Sequence, residues 1–305
     1  MKNASMTRAP HCDLAIVILN YRTPKLVTQC LASLFLERES IEFKVIVVDN
    51  NSGDGSVDQI EGDVHLNQWG DWVNIVRSDL NRGFAGGNNL GLALVQHFPY
   101  VLLLNSDTIV HAGCLARCLS VLKSRPDIGA LSCKLLNGDG SIQNVARKFP
   151  DPLRITLCAT GLPYRLPKWF GWANTQDLDW DRATECRQVD WLGGAFLMVP
   201  QSILQDIGYL DEDFFFYGED VEFCHRVHRA GYLCWYEATV STTHLGAGSS
   251  DVTRLPPAQR NRHRVLGRYL EQRKLYGRWA ELLVRSVDAT VDRLRSAKKT
   301  LIGRG

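Results

Sequence analysis

Four short stretches of this chain carry side chains whose types and spacing suit chemistry. Asp107 follows Leu102-Leu103-Leu104-Asn105-Ser106. A carboxylate just past a buried apolar run can hold a hard divalent cation that also touches phosphate oxygens. The same Asn-Ser-Asp-Thr also suits a turn, or a cap before a helix. Phe214-Phe215-Phe216-Tyr217-Gly218-Glu219-Asp220 sets two acids after an aromatic run. An acid against apolar walls can be raised in pKa and act as a general base. Equally, Asp220 can cap the following helix, with Glu219 in solvent. His244 precedes Gly246-Ala247-Gly248-Ser249-Ser250, a segment with flexible composition. Imidazole is a common metal ligand, although a single histidine is more often structural. Asn81–Asn89 is a Gly-rich turn opening a helix. It can present backbone N–H groups and the Arg82 guanidinium to an anion, or its glycines can serve turn geometry alone. It has no Gly-Lys-Ser/Thr ending, and no G-x-G-x-x-G follows the first strand, which argues against kinase and dinucleotide readings.

The elements that must position these residues read as alternating strands and helices. Apolar runs at Leu14–Leu19, Val45–Val48, Val73–Val76 and Val101–Leu104 alternate with helical patterns over Pro24–Leu36, Gly86–Gln96 and Leu115–Lys123. This is the pattern of βαβ units around a parallel sheet buried on both faces. Three runs end in polar residues: Asn20, Asp49-Asn50-Asn51-Ser52 and Asn105-Ser106-Asp107. In an open α/β sheet the ligand crevice lies beyond the carboxyl ends of the strands, so these ends should converge. Further on, Asn137-Gly138-Asp139-Gly140 reads as a hairpin turn. Residues 146–190, with several prolines and aromatics, read as an irregular wall. Ala195–Val199, Leu233–Tyr236 and Thr239–Thr243 read as strands, and Asp220–Ala230 as a helix closed by Gly231.

The net charge of +2 hides an asymmetry. Residues 254–305 hold 14 Lys+Arg against 4 Asp+Glu, leaving 21 of the 35 basic and 29 of the 33 acidic residues to the rest. A basic tail on an acidic globule usually meets something anionic. Nine scattered cysteines with no C-x-x-C pair read as reduced thiols in a cytosolic protein. No signal peptide and no membrane-spanning apolar run is visible.

Taken in order, these segments resemble family-2 glycosyltransferases, most closely their rhamnosyltransferase-like branch. The matching stretches are Ile18–Arg22, Val47–Ser56, Asn81–Gly91, Leu103–Thr108, Trp191–Phe196, Asp211–Gly231 with Gly218-Glu219-Asp220 inside it, and His244. The resemblance covers about Asp13 to Gly248. It implies a GT-A fold, an α/β Rossmann-like and mostly parallel sheet flanked by helices, with a C-terminal helical extension. On that plan residues 1–12 form a polar arm and 13–135 the nucleotide-sugar-binding half. Residues 136–250 form the acceptor-binding half and 251–305 the basic extension.

The resemblance further implies that Asp49 contacts the nucleotide base, while Asn20, Asn81 and Arg82 line its pocket. Asp107 takes the place of the last acid of the family's D-x-D, with Asn105 where the first would stand. It would ligate Mg2+ or Mn2+ together with His244. Asp220 takes the place of the base that deprotonates the acceptor hydroxyl, giving inversion, since no second carboxylate stands as nucleophile. The implied donor is a nucleotide-sugar, dTDP-rhamnose in the first instance. The implied acceptor is a glycan or a polyprenyl-diphosphate-linked glycan of a cell-surface polysaccharide.

Sugar rings stack on aromatic faces, which makes Tyr164, Trp169, Phe170, Trp172, Trp180 and Trp191 candidates for an acceptor wall, with Glu219 beside them. The tail, with leucines among arginines, can lie on an anionic membrane or pack on the core or a second subunit. Nucleic-acid binding lacks any recognisable module. A sugar-phosphate nucleotidyltransferase and a catalytically silent sugar- or nucleotide-binding module are the competing readings.

Overall fold

The computed structural model describes residues 12–174, 184–246 and 257–302. Residues 1–11 of the expected N-terminal arm, Trp180 and the Gly248–Ser250 segment lie outside them. The first half is a succession of strands and helices: β1 (Leu14–Asn20), α1 (Pro24–Glu37), β2 (Phe43–Asp49), α2 (Ser56–Leu66), β3 (Val73–Arg77), α3 (Gly83–Leu94), β4 (Tyr100–Asn105), β5 (Thr108–Val110), α4 (Cys114–Ser124) and β6 (Ile128–Leu136). The second half is more broken: β7 (Ile142–Gln143), β8 (Ala146–Arg147), α5 (Pro152–Thr160), α6 (Leu162–Arg165), α7 (Pro167–Phe170), β9 (Arg187–Val189), β10 (Trp191–Leu192), β11 (Phe196–Pro200), α8 (Gln201–Ile207), α9 (Glu219–Arg229) and β12 (Leu233–His244). Two long helices follow, α10 (Pro257–Tyr276) and α11 (Arg278–Ile302).

The main sheet runs β3-β2-β1-β4-β11-β6-β12-β5. Strands β3, β2, β1 and β4 are parallel, and β11 enters antiparallel between β4 and β6. Because β1 lies between β2 and β4, the chain reverses its direction of travel across the sheet at the β1–β4 boundary, where such sheets open a crevice. Leu14–Ile18 and Val45–Val48 are buried, as strands covered on both faces require. Glycine lets α3 lie close on β1: a methyl at Gly87 would overlap the Leu19 side chain.

Several elements differ from expectation for identifiable reasons. Helix α2 has only Ile60 and Val64 as buried apolar residues, so its stripe is too thin to read as periodic. Strand β6 contains Gly129, Ser132 and Cys133, which break up its apolar run although Ser132 and Cys133 are buried. Residues 146–190 are not simply an irregular wall. Pro152, Pro163 and Pro167 stand in the first turns of α5, α6 and α7, where a missing N–H costs nothing. The two expected strands around Ala238 are one, β12, with a register shift between Glu237 and Ser241. The 137–140 turn does close a hairpin, between β6 and β7. All nine cysteines are free thiols. No helix among the described residues is long and apolar enough to cross a membrane.

Helix α10 is packed against the globule. A methyl at Gly267 would overlap the carbonyl oxygen of Tyr217. Gln272 donates to Pro150 O at 2.7 Å. Tyr269 donates to Asp288 Oδ2 at 2.9 Å, tying α10 to α11.

Candidate active site

The strand ends converge. Parallel register sets Asn20 beside Asp49. The Asn20 amide donates to Asp49 Oδ1 at 2.7 Å and to Ser52 Oγ at 3.2 Å. Its carbonyl accepts from Thr23 N and Oγ1. Asn20 is fully buried, so its side chain orients Asp49 and the entry to α1. Asp49 also accepts from Ser52 N and Oγ. Thr23 Oγ1 lies 3.1 Å from Ser106 Oγ, joining the ends of β1 and β4.

Asn50 holds the Gly-rich turn onto β2. Its amide donates to Asn81 Oδ1 (3.0 Å) and Gly83 O (2.9 Å), and its carbonyl accepts from Arg82 N (2.9 Å). Asn81 in turn accepts from Gly83 N, and the Arg82 side chain is exposed at the turn. Gly83 has φ +70°, and a methyl there would overlap the carbonyl oxygen of Phe215. That same oxygen accepts from Phe84 N at 2.8 Å, tying the turn to the loop before Asp220.

Asp107 and His244 meet through the antiparallel pairing of β5 with β12, in which His244 faces Thr108. His244 Nε2 stands 3.2 Å from Asp107 Oδ1 and 3.3 Å from the Asn105 amide. Nδ1 lies 2.6 Å from Gln143 Oε1, which can only accept, so that nitrogen carries the proton. Nε2 then turns a lone pair toward a carboxylate oxygen. The Asn105 amide can donate to that lone pair, and a carboxylate beside an oriented imidazole suits Mg2+ or Mn2+. Among the described residues no group of three or more His, Cys, Asp or Glu forms a fuller ligand set. Phosphate oxygens and water would complete the coordination of such an ion, as they commonly do for Mg2+.

Asp220 sits close by. Asn105 N donates to Ala195 O at 3.0 Å, and Gly194 N donates to Asp220 Oδ2 at 3.2 Å. A two-residue bridge thus joins the Asp107 strand end to the acid. Gly218 is the helix cap of α9, so Asp220 is not the cap that the sequence left open; its Oδ1 accepts from Val221 N at 2.9 Å. Tyr217 (φ 72°) and Gly218 (φ 104°) are consecutive left-handed residues, a strained turn that the Gly267 contact of α10 holds in place.

Burial pushes the Asp220 carboxyl above its ordinary pKa, against the N–H groups of Val221 and Gly194 and the charge of Arg147. Glu219 is buried rather than solvated, and burial, then Asp220, pushes its carboxyl to about 8. Glu271 of α10 is pushed to about 8 by burial, with the charge of Asp220 adding to it. Both are therefore held mainly in the protonated form at neutral pH.

Trp169 and Trp172 are 75% and 50% exposed on α7 and the turn after it, with the Arg154 guanidinium 5.8 Å over the Trp172 ring. Trp191 is half-buried, with its indole N–H donated to Lys148 O at 3.0 Å. The sequence reading assigned no separate role to Asn50, Gln143, Arg147, Gly194 and Glu271. Asn50 and Gly194 at least lay inside the stretches that carry the resemblance.

Among solved structures, the chain is similar to the mannosyltransferase PcManGT of Pyrobaculum calidifontis in complex with GDP-Man and Mn2+. The TM-score is 0.57 at 17% identity, covering 97% of this chain and 81% of that one. GalNAc-T7 with UDP, GalNAc and Mn2+ gives 0.59 at 14%, covering 80% of this chain and 45% of that one. These likenesses establish the GT-A fold. By sequence, the chain is 28% identical over 222 residues to the low-salt glycan biosynthesis hexosyltransferase Agl10 of Haloferax volcanii. That match covers 71% of this chain and 62% of Agl10, so the chain spans under two thirds of that relative. It is 27% identical over 249 residues to the N-acetylglucosaminyl-diphospho-decaprenol L-rhamnosyltransferase of Mycobacterium tuberculosis, covering 78% of this chain and 77% of that one. The profile of glycosyl transferase family 2 matches residues 15–169, half the chain, including the ends of β1, β2 and β4, and the protein belongs to that family.

Proposed function

We propose that this protein is a metal-dependent, inverting glycosyltransferase that moves a sugar from a nucleotide-sugar to a hydroxyl of a glycan or lipid-linked glycan. The observation that carries this reading is the Asp107–His244 pair at 3.2 Å, joined to Asp220 through Gly194 and Ala195. Asp49, oriented by Asn20, and the turn held by Asn50 offer the base and sugar-phosphate side of a pocket. Asp107 and His244 would hold Mg2+ or Mn2+, which when bound offsets the negative charge of the departing nucleoside diphosphate. Asp220 takes the proton of the acceptor hydroxyl as the new bond forms. Retention would need a second ionised carboxylate as nucleophile. Glu219 and Glu271, both protonated at neutral pH, do not supply it, which supports inversion.

The Mycobacterium tuberculosis relative is named for L-rhamnose transfer to N-acetylglucosaminyl-diphospho-decaprenol, which supports rhamnose as the sugar and a diphospho-polyprenyl glycan as acceptor, and the resemblance makes dTDP-rhamnose the donor to test first. The deciding assay offers a panel of nucleotide-sugars with Mn2+ or Mg2+ and an N-acetylglucosaminyl-diphospho-lipid. Rhamnose transfer from dTDP-rhamnose is expected. Turnover of another nucleotide-sugar alone would overturn the donor choice. Pyrophosphate release from an NTP and a sugar phosphate would replace the reading with a nucleotidyltransferase.

A lipid-linked acceptor lies in a membrane, and α11 presents Trp279, Leu282 and Leu283 outward beside basic residues. Such a face suits peripheral contact with an anionic bilayer. Trp279→Ser with Leu283→Ser should release the protein from phosphatidylglycerol vesicles in a sedimentation assay. Unchanged sedimentation would remove this face from the membrane contact.

A further inference from the structure

Phe84 meets both segments that hold Asp220. It is the second residue of α3 and directly follows the turn of Asn81, Arg82 and Gly83. Its N–H donates to Phe215 O at 2.8 Å, in the loop that leads to Asp220. Its carbonyl accepts from the buried Asn88 amide at 2.9 Å. Its ring reaches the other segment. A methyl at Gly194 would stand 3.5 and 3.6 Å from Cε1 and Cζ of Phe84, and 3.8 Å from Cβ of Asp220. The Gly194 N–H is the group that donates to Asp220 Oδ2 at 3.2 Å.

The residues on either side of Gly194 are tied elsewhere. Gly193 N donates to Val145 O at 3.1 Å, and Ala195 O accepts from Asn105 N at 3.0 Å. The Gly193–Gly194 peptide has no side chain of its own to fix its tilt, so what packs on it sets the direction of that N–H. The Phe84 ring packs there. It is half-buried, at the edge of the core rather than inside it. The turn before it is rigid, because the Asn50 side chain holds Arg82 N and Gly83 O at 2.9 Å each. A shift of the turn is therefore passed through Phe84 to the Phe215 carbonyl and to the Gly194 peptide together.

We infer that Phe84 is a positioning residue for Asp220, tying the base to the turn that offers the sugar-phosphate side of the donor pocket. The inference rests on the glycosyltransferase reading of Asp220. It adds one side chain through which the donor side of the crevice sets the geometry of the acid on the acceptor side.

A double-mutant cycle on kcat tests this. Phe84→Leu keeps the backbone bonds and an apolar side chain, but its methyls stop short of where Cε1 and Cζ meet Gly194. It should lower kcat by about 10- to 100-fold, the scale of misplacing a reacting group by an ångström. Nucleotide-sugar binding, followed by thermal shift, should stay near wild type. In the Asp220→Asn background the same substitution should cost roughly twofold or less, since the group it positions is gone. Phe84→Met, with an unbranched chain that spans the length of the ring, should recover part of the loss.

The pH profile gives a readout that lost packing alone does not move. Burial raises the Asp220 carboxyl, and the N–H groups of Val221 and Gly194 and the charge of Arg147 oppose it. Glu219 of α9 and Glu271 of α10 also face Asp220, and neither they nor Arg147 is altered by the substitution. A weaker Gly194 N–H bond favours the protonated carboxyl, so the acid limb of Phe84→Leu should lie at higher pH than that of wild type. Phe98→Leu controls for stability, because Phe98 is buried two residues before β4, at the end away from Asn105. It should lower Tm without the loss of kcat, and an equal loss there would make the Phe84 effect one of folding. Wild-type kcat and acid limb in Phe84→Leu, or losses that multiply in full with those of Asp220→Asn, would overturn the inference alone. Asp220→Asn with wild-type kcat would overturn the base assignment and the inference together.

Discussion

Asp220→Asn should lower kcat by roughly 10²–10⁴-fold, the usual contribution of a positioned general base. Binding of the nucleotide-sugar, followed by thermal shift, should stay near the wild-type value. Asparagine is nearly isosteric with aspartate, and its carbonyl oxygen can still accept from Gly194 N, so the loop geometry should persist. What the amide cannot do is take a proton from a hydroxyl. The pH profile gives a second reading of the same role. Asp220 works only when ionised, and burial raises its carboxyl above the ordinary carboxylate range. The wild-type rate should therefore fall as pH falls through that raised value, an acid limb displaced upward from about 4. In Asp220→Asn the residual rate should lose that limb. A variant with wild-type kcat, or one that keeps the same acid limb, would reassign the base.

Asp107→Asn carries the second large effect. It keeps the backbone carbonyl that accepts from Leu245 N at 2.9 Å, so β5 and β12 should stay paired. It removes the negative charge facing His244 Nε2. With one of the two proposed protein ligands weakened, kcat/KM should fall by about 10²–10³-fold, the scale of losing one stabiliser of developing charge. The rise in Tm that dTDP and Mn2+ together give the wild type should largely vanish, because that rise reports ligand binding to the folded state. An unaltered Mn2+ titration of activity would take Asp107 out of the metal site.

How much of this was legible beforehand depends on whether a residue's role is local. The polar ends of β1, β2 and β4 announced a crevice because each followed its own apolar run, and the parallel register brought Asn20 and Asp49 together as the pattern required. The acid loop was legible as a place, but not its electrostatics. Burial of Glu219 depends on α9 being covered, and the raised carboxyl of Glu271 on a helix some fifty residues away in sequence. Arg147 was invisible for a similar reason, since its connection to Asp220 runs through a two-residue pairing with Trp191 and Leu192. The prolines of the 150–170 region misled because proline marks both irregular chain and the first turn of a helix, and only packing distinguishes these. The tail read as an appendage because its arginines dominate its composition, while its close seam with the core is made at a glycine, Gly267, and by Gln272.

That glycine has an evolutionary consequence. The atom a side chain at position 267 would strike is the backbone oxygen of Tyr217, so no rotamer relieves the overlap. Mutational drift there is closed to every other amino acid unless the turn ahead of Asp220 shifts too. Lineages can recolour the outward faces of α10 and α11 freely, and so change the surface that meets other molecules. They cannot exchange the tail as an independent module without also fitting the turn ahead of Asp220, which meets it at Gly267.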